Sequence, residues 1–334
     1  MSSAPELYSV RRLLPEDAQS IPALTEAVNG PGYIHAEVYH PDMLLRMNQS
    51  GGRLSVVALH EEAGVVGHYA LERPDLGLFA ETGEAMVLPA HQHHHLLDRM
   101  RVLLEEEAAR IELIGIYGNA VTHHVYSQKM EELFKAVPTG FRLGSAPAAA
   151  HRLENFPQRV SLVTYFKYLR RPGSMRVYIP AHHQEMAARI FAALGRVIEV
   201  APIVEQSPIA VTIESSYEAS EQQATITIRR GGAHGIGDLE QEMATHLANA
   251  DAEVIFVEIP LVDPAAPALC AALEKQGFFF CGIEPRDEAE GDLMHMQKLM
   301  RPLDLELVQT VDDLARELLA YIGSERIRVS TTAR

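Results

Sequence analysis

Residues 84–143 decide the fold, and they read EAMVLPAHQHHHLLDRMRVLLEEEAARIELIGIYGNAVTHHVYSQKMEELFKAVPTGFRL. Apolar periodicity divides this segment into alternating elements. The predicted elements are a strand at 84–88, a helix at 92–110, a strand at 111–117, a helix at 121–135 and a strand at 139–143. This order predicts an α/β fold, in which a mixed, twisted sheet carries helices on both faces.

The sequence before this segment predicts the first strands of the same sheet. Pro15, Glu16 and Asp17 open a helix, because proline and acidic residues suit a first helical turn. Residues 61–64 (EEAG) separate two apolar runs as a hairpin turn. The predicted elements are strands at 8–14, 54–60 and 65–72, and helices at 15–28 and 41–47.

The second half repeats this pattern with little residue identity. Its predicted elements are strands at 177–180, 209–215, 224–230, 254–259, 278–283 and 293–299, and helices at 184–194, 238–250, 266–276 and 311–321. We therefore predict two similar domains in tandem, at 1–150 and 175–300, with an appendage at 303–334. A strand at 159–169 is available to complete the first sheet.

Composition restricts the class of protein. The 334 residues suit two domains, and 47% hydrophobic with 22% charged residues is an ordinary globular mixture. A formal charge of -16 disfavours nucleic acid and anionic membrane surfaces as partners. The only cysteines, Cys270 and Cys281, argue against a disulfide framework. Residues 1–6 lack a signal-peptide pattern and no apolar run is long enough to span a membrane, so we expect a cytoplasmic protein.

Three features of the first half resemble the GNAT superfamily of acyl-CoA-dependent N-acyltransferases. Residues 86–89 (MVLP) resemble the family's Val-x-Pro at the end of its fourth strand, and a loop and helix follow at once. Asn119 and Tyr126 have the family's Asn…Tyr spacing. Residues 120–129 and 277–280 also resemble a bacterial subgroup whose members accompany regulatory proteins.

The resemblance implies acetyl-CoA or coenzyme A as cofactor, an amine as acyl acceptor, and a role for each matching residue. Tyr126 would protonate the departing thiolate, and the main chain of Val87 and Leu88 would pair with the pantetheine arm. The remaining cofactor contacts implied are Gln92, His93, His94, His95, Leu96 and Asn119. The family's pyrophosphate loop has glycine or another small residue where this chain has His95 and Leu97.

The second half departs from the family in the opposite way. Residues 233–237 (AHGIG) resemble the family's glycine-rich loop, and residues 273–278 (LEKQGF) resemble its Tyr-Glu-Lys-x-Gly-Phe. Leu273 stands in place of the tyrosine, and Ala266 in place of the asparagine. Leucine cannot protonate a thiolate, so we predict a structural or regulatory role for this domain.

The general base is not identified by the resemblance alone. Glu84, with Glu81 behind it, is the candidate on the strand before the loop, and the alternative is a pair of solvated carboxylates. A water relayed through His123 or His124 is a further alternative. The histidines at 91 and 93–95 suggest a metal site, but no carboxylate or cysteine adjoins them, so we predict no metal.

Two functions from different classes follow. The first is an N-acyltransferase that acts on a small-molecule or peptide amine. The second is a non-catalytic acyl-CoA or metabolite sensor that signals to a regulatory partner. A purely structural tandem that forms a homodimer is a third reading.

Overall fold

The computed structural model describes residues 7–31, 33, 35–73, 76–151, 156–203, 209–287 and 290–332. The prediction that residues 1–6 carry no signal peptide concerns a segment outside these residues. Among the helices of the described residues, none is both long enough and apolar enough to cross a membrane.

The chain forms fourteen strands and eight α-helices within the described residues. The strands are β1 (Tyr8–Arg12), β2 (Arg53–His60), β3 (Gly64–Glu72), β4 (Phe79–Val87), β5 (Gly115–Val121), β6 (Val137–Ala146), β7 (Val160–Tyr168), β8 (Met175–Val177), β9 (Ile198–Val200), β10 (Val211–Glu218), β11 (Gln223–Arg230), β12 (Val254–Pro260), β13 (Phe279–Glu284) and β14 (Leu293–Leu299). The helices are α1 (Ile21–Asn29), α2 (Pro41–Ser50), α3 (Leu96–Arg110), α4 (Tyr126–Leu133), α5 (Gln184–Ala193), α6 (Ile236–Leu247), α7 (Ala266–Lys275) and α8 (Asp313–Thr332). The predicted α/β fold class is confirmed.

The chain divides into two compact units. The first consists of residues 1–118 and 168–170, and the second of residues 119–167 and 171–334. The division falls at Gly118, inside β5, rather than near residue 150. The arrangement of two family-like domains in tandem stays a prediction.

The sheet of the first unit has the order β1-β2-β3-β4-β5. The first four strands are antiparallel neighbours, and β4 with β5 is parallel. Side chains alternate between the two faces of a strand, and β2 shows this directly. Val56 of β2 packs in a cluster with Met100 and Leu104 of α3, whereas Val57 packs with Leu24 of α1 and Leu44 of α2. Helices therefore cover both faces of this sheet, as predicted.

The sheet of the second unit has the order β7-β6-β13-β14-β12-β11-β10. Only β11 with β12 is parallel among its ladders from β6 onward. A separate parallel pair, β8 and β9, lies in the same unit. Gly140 of β6 and Gly282 of β13 form the single paired position between their strands, where the two backbones approach closely.

Several predicted boundaries are wrong, among them the start of β4, the start of α4 and the end of α8, and three errors lie beside backbone torsions that apolar periodicity does not detect. The helix predicted at 92–110 begins at Leu96, because His93 and His95 have φ of 68° and 54°. The strand predicted at 111–117 is β5, at Gly115–Val121, and it follows Glu112 with φ of 58°. The helix predicted at 121–135 is α4, which ends before Lys135 with φ of 58°. Backbone in the left-handed region interrupts a helix.

Candidate active site

Strand β4 bulges at Glu84, the predicted base. The ladder with β3 pairs Met86 with His68 and Gly83 with Ala70, so β4 has one extra residue over this stretch. Glu84 has φ of 61°, which costs a residue with a Cβ atom about 1–3 kcal/mol. Bulges re-aim side chains, and Glu84 is only 3% exposed. The strand thus holds a carboxylate inside the unit in a strained conformation.

Arg53, the first residue of β2, binds three carboxylates. Its Nη1 donates to Glu84, its Nη2 donates to Glu37 Oε1 over 2.5 Å, and Nη2 also lies 3.5 Å from Glu72 Oε2. Arg53 is 1% exposed, and a buried charge is tolerated when it is paired and hydrogen-bonded. The guanidinium is therefore the centre of a charged cluster, which we define as His35, Glu37, Arg53, Glu72 and Glu84.

His35 is the imidazole of the charged cluster. Its Nδ1 lies 3.5 Å from both Glu37 Oε1 and Glu72 Oε1, and 3.8 Å from Glu84 Oε1. Burial alone would lower the pKa of His35, but the bond with Glu37 and the charges of Glu72 and Glu84 raise it above its usual value. The bond with His35, against the opposing effect of burial, lowers the pKa of Glu37 to about 2. His35 thus gains positive charge more readily than a solvated histidine.

Glu84 also faces His68, a wholly buried residue of β3. His68 Nδ1 lies 3.5 Å from Glu84 Oε2, and neither atom has a hydrogen-bond partner within the described part of the chain. Burial lowers the pKa of His68 to about 3, so its imidazole is neutral. Burial raises the pKa of Glu84 to about 7, although the charge of Arg53 opposes the change. Glu84 therefore exchanges a proton near neutral pH, as a general base should.

The side chains of the charged cluster differ in their exposure. The side chains of His35, Glu37 and Glu72 are 30%, 17% and 20% exposed, whereas those of Arg53 and Glu84 are fully covered. Donor atoms of the histidine and the three carboxylates lie within 4.8 Å of one another, a spacing that suits a cation. Because Arg53 already binds Glu37 and Glu84, a guanidinium occupies the position that an inorganic cation would take.

The predicted cofactor loop keeps a glycine-like backbone without glycine. His95, at a position where the family has glycine, has φ of 54°, and His93 has φ of 68°. Histidine enters this region more readily than most residues with a side chain. Gln92 to His95 are exposed, and the side-chain amide of Gln92 donates to Val87 O over 3.4 Å. His95 Nδ1 lies 2.9 Å from Asp98 Oδ2 in the first turn of α3.

The strands next to this loop separate early. The ladder between β4 and β5 has three pairs, from Phe79–Gly115 to Glu81–Tyr117, while β4 continues to Val87. Leu88 N donates to Val66 O over 2.9 Å, so the amide of Leu88 is already used within the unit. The Leu88 carbonyl likewise accepts from His91 N over 2.8 Å, and the pairing of a pantetheine arm with Val87 and Leu88 stays a prediction.

Tyr126 and Asn119 belong to the second unit. Tyr126 is the first residue of α4 and is 76% exposed, with its ring 5.2 Å from that of His124. Asn119 lies on β5, and its side-chain oxygen accepts a hydrogen bond from Thr164 over 2.8 Å. The predicted acid is thus accessible to solvent, and its role stays a prediction.

The glycine-rich run of the second half leads into α6. Gly235 N donates to Asp238 Oδ2 over 2.7 Å, so a carboxylate occupies the start of this helix. A carboxylate at a helix N-terminus satisfies the same groups that would bind phosphate. Leu273, which replaces the family's tyrosine, is fully buried in α7.

The sequence predicts Glu84 as a site residue, but it does not predict the residues around Glu84. His35 and Glu37 come from the loop and short 3-10 helix before α2, Arg53 from β2, and Glu72 from the end of β3. The available signals were a charged residue directly before the apolar run of β2 and a histidine, His68, within the apolar run of β3. The histidines at 91 and 93–95 take part in no metal-competent group of three among the residues that the structure describes.

Comparisons with known proteins give structural neighbours only. No family model matches the chain, and no curated protein is similar to it. The structure of an N-acetyltransferase from Staphylococcus aureus Mu50 is 15% identical, covers 49% of this chain and 99% of its own, and has a TM-score of 0.41. The ribosomal-protein-S5-alanine acetyltransferase of Vibrio fischeri is 15% identical, covers 50% of this chain and 96% of its own, and has a TM-score of 0.40. The corresponding values for the ribosomal-protein-S18-alanine N-acetyltransferase of Escherichia coli are 11%, 48%, 94% and 0.38.

These neighbours are GNAT N-acetyltransferases, the superfamily that the sequence motifs resemble. At such identities and TM-scores, the likeness gives no residue a role and assigns no substrate. The charged cluster and the loop at residues 92–95 are therefore the features that bear on the function.

Proposed function

We propose that the chain is an acyl-CoA-dependent N-acyltransferase that transfers an acetyl group from acetyl-CoA to an amine, which the charged cluster receives. The observation that supports this proposal most directly is Glu84, a buried carboxylate on a bulged strand with a pKa of about 7. A general base works best when its pKa lies near the working pH.

The amine arrives as an ammonium ion and must lose a proton before it attacks. The partly exposed carboxylates of Glu37 and Glu72 attract the ammonium group electrostatically. His35 is the most exposed group of the cluster and lies 3.8 Å from Glu84. It relays the proton from the amine to Glu84, which is itself covered. A cationic primary amine is therefore the acceptor that this arrangement favours.

The loop before α3 fits a pyrophosphate in its backbone shape. His93 and His95 hold the left-handed conformations that glycine usually supplies, and α3 has no side-chain hydrogen bond at its N-cap. Four exposed side chains, Gln92 to His95, supply further donors. Asp98 opposes an anion here, and its bond with His95 offsets part of that charge. These features support the proposal that coenzyme A binds against Gln92–Leu96, with the main chain of Val87 and Leu88 along its arm.

Acetyl-CoA supplies an activated acyl carbonyl when bound. The bulge leaves one residue of β4 outside the regular ladder, and a main-chain N–H of this strand is the candidate donor to that carbonyl. The family resemblance gives Tyr126 the role of proton donor to the leaving thiolate and makes Asn119 a cofactor contact, and both roles stay predictions.

Release of free coenzyme A from acetyl-CoA, with a panel of mono- and polyamines, tests the activity. We expect Glu84→Gln and Tyr126→Phe each to lower turnover at least about tenfold, while calorimetric binding of acetyl-CoA persists. Tyr217→Phe, a change of the same type on β10, is the control and should turn over normally. Full activity of Glu84→Gln would show that Glu84 is not the general base. Full activity of Tyr126→Phe would show that Tyr126 is not the general acid.

A second candidate is a non-catalytic acyl-CoA sensor with a regulatory protein partner. The observation in its favour is that Arg53 binds Glu84 and the carboxylate is covered. Acetyl-CoA binding without turnover on any amine would support this function. A cytoplasmic location and a homodimer stay predictions for either candidate.

A further inference from the structure

Four metal-ligating side chains meet in the second unit, where the proposed function does not use them. Cys270 and Glu274 lie one turn apart on α7, so they share a helix face. His182 and His183 come from the short 3-10 helix that precedes α5. One donor atom from each of these four residues lies within 4.8 Å of every other.

The distances are close to those of a tetrahedral metal centre. Glu274 Oε1 lies 2.7 Å from His182 Nε2, 3.3 Å from His183 Nε2 and 3.7 Å from Cys270 Sγ. A tetrahedral zinc ion with bonds of about 2.0–2.3 Å separates its donors by about 3.3–3.8 Å. Small side-chain rotations would bring the four atoms into that geometry.

The hydrogen bonds of Tyr321 on α8 orient His183 toward this centre. The Tyr321 hydroxyl donates to the His182 carbonyl over 2.9 Å. Its oxygen can then accept from His183 Nδ1–H, which lies 2.6 Å away. His183 Nε2 therefore carries the lone pair of the neutral ring, and it lies 3.3 Å from a carboxylate oxygen.

The Nε2 atom of His183 indicates a ligand independently of the spacing of the four donor atoms. His183 is fully buried, and among the described residues its Nε2 makes no hydrogen bond of normal geometry, although it lies 3.3 Å from Glu274 Oε1. A buried polar atom without a well-formed hydrogen bond is costly, and a metal cation between Nε2 and the Glu274 carboxylate would satisfy both groups. A hydrogen bond at the opposite ring nitrogen, such as the one with Tyr321, is the usual support of a metal-bound histidine.

We propose that His182, His183, Cys270 and Glu274 form a zinc site. Two imidazoles, one thiolate and one carboxylate are zinc ligands, and four protein ligands leave no open position, as in structural sites. The ion would tie α7 to the turn before α5. On binding, the Cys270 S–H bond breaks, an S–Zn bond forms and the proton leaves to solvent.

Arg328 and Glu325 complete the surroundings of this site. Arg328 donates to Glu274 and to Glu325, and its Nη1 lies 3.4 Å from Glu274 Oε2. It can stay on Oε2 while Oε1 turns to the metal. The thiolate and the Glu274 carboxylate then balance the charge of the zinc ion, and Glu325 balances Arg328.

Metal titration of the full chain after chelator treatment tests the site. We expect one tightly held Zn²⁺ per chain, release of about one proton at neutral pH, and a rise in Tm of about 5–10 °C at saturation. Co²⁺ should give the intense visible bands of tetrahedral coordination and a thiolate charge-transfer band. The loop histidines cannot produce that band, because residues 91–95 contain no cysteine.

Two variants and a control make the test specific. Cys270→Ala should abolish the thiolate band, whereas Cys281→Ala, which changes the other buried cysteine, should keep it. Because Cys270 is buried, His182→Gln supplies a second variant at a side chain that is 41% exposed, and it should weaken zinc binding at least about tenfold. Absence of bound zinc, cobalt spectra without the thiolate band, or unchanged zinc affinity in His182→Gln would overturn the proposal.

Discussion

The substitution Glu84→Gln should change how the stability of the protein depends on pH. The pKa of Glu84 is about 7 in the folded chain, against 4.5 for the ordinary carboxyl. The folded state then binds more protons than the unfolded state between these values. The stabilising contribution of this proton is complete below about pH 4.5 and is lost as the pH rises through about 7. The difference between these two pKa values corresponds to about 3 kcal/mol of unfolding free energy.

Urea unfolding at pH 5 and pH 8, followed by circular dichroism, measures this effect. Glutamine cannot ionise, so the stability of Glu84→Gln relative to wild type should improve by about 2.5 kcal/mol from pH 5 to pH 8, since the contribution is not yet complete at pH 5. The charge of Glu84 also raises the pKa of His35, so Glu84→Gln changes the protonation of His35 as well. The same comparison in a His35→Gln background removes that contribution. Glu62→Gln, in the exposed turn before β3, is the control and should show no such change. A stability difference between Glu84→Gln and wild type that does not vary with pH would refute the buried, proton-exchanging carboxylate.

Two further predictions concern backbone conformation and are also measured by urea unfolding. His95→Gly should stabilise the chain by about 0.5–1 kcal/mol, because glycine removes the strain of φ 54° and loses part of that gain to entropy. His94→Gly, at the exposed neighbour, should destabilise it, and equal effects of the two changes would argue against strain. Gly282→Ala should destabilise by about 3 kcal/mol, because its Cβ would lie 2.3 Å from Gly140 Cα. Gly237→Ala, where a Cβ meets nothing within 4 Å, should be neutral or stabilising, and a similar loss in both variants would contradict the close approach.

The sequence predicts most elements of the fold but not their ends. Alternating and helical periodicities report which residues are buried together, and these identify β2, β3, α3 and β12. Helix ends depend on single backbone torsions. Residues such as Glu112 and Lys135 take positive φ without being glycine, so no composition signal precedes the break. The boundary errors at α3, β5 and α4 share this cause.

The candidate site shows a different limit. Glu84 could be proposed from one motif because it lies two residues before the MVLP run. The pKa of Glu84 could not be predicted from the sequence. It depends on burial at the bulge and on Arg53, which is 31 positions away in the chain. His35 and Glu37 come from a segment whose periodicity is short and irregular. A cluster assembled by packing leaves isolated polar residues in the sequence, and these do not indicate which of them will meet.

Two loops of this chain resemble the family's phosphate-binding loop. Their comparison shows that the number of glycines predicts anion binding less well than the main-chain N–H groups that a loop leaves unoccupied. The run at 233–237 has the glycines, yet Gly235 N binds Asp238, whose charge occupies the start of α6. The loop at 92–95 has no glycine, yet His93 and His95 adopt glycine-like backbone and α3 lacks a side-chain cap. Anions are bound by N–H groups and charge rather than by residue names. This contrast favours the first unit as the place for a pyrophosphate, in agreement with the position of Glu84 in the same unit.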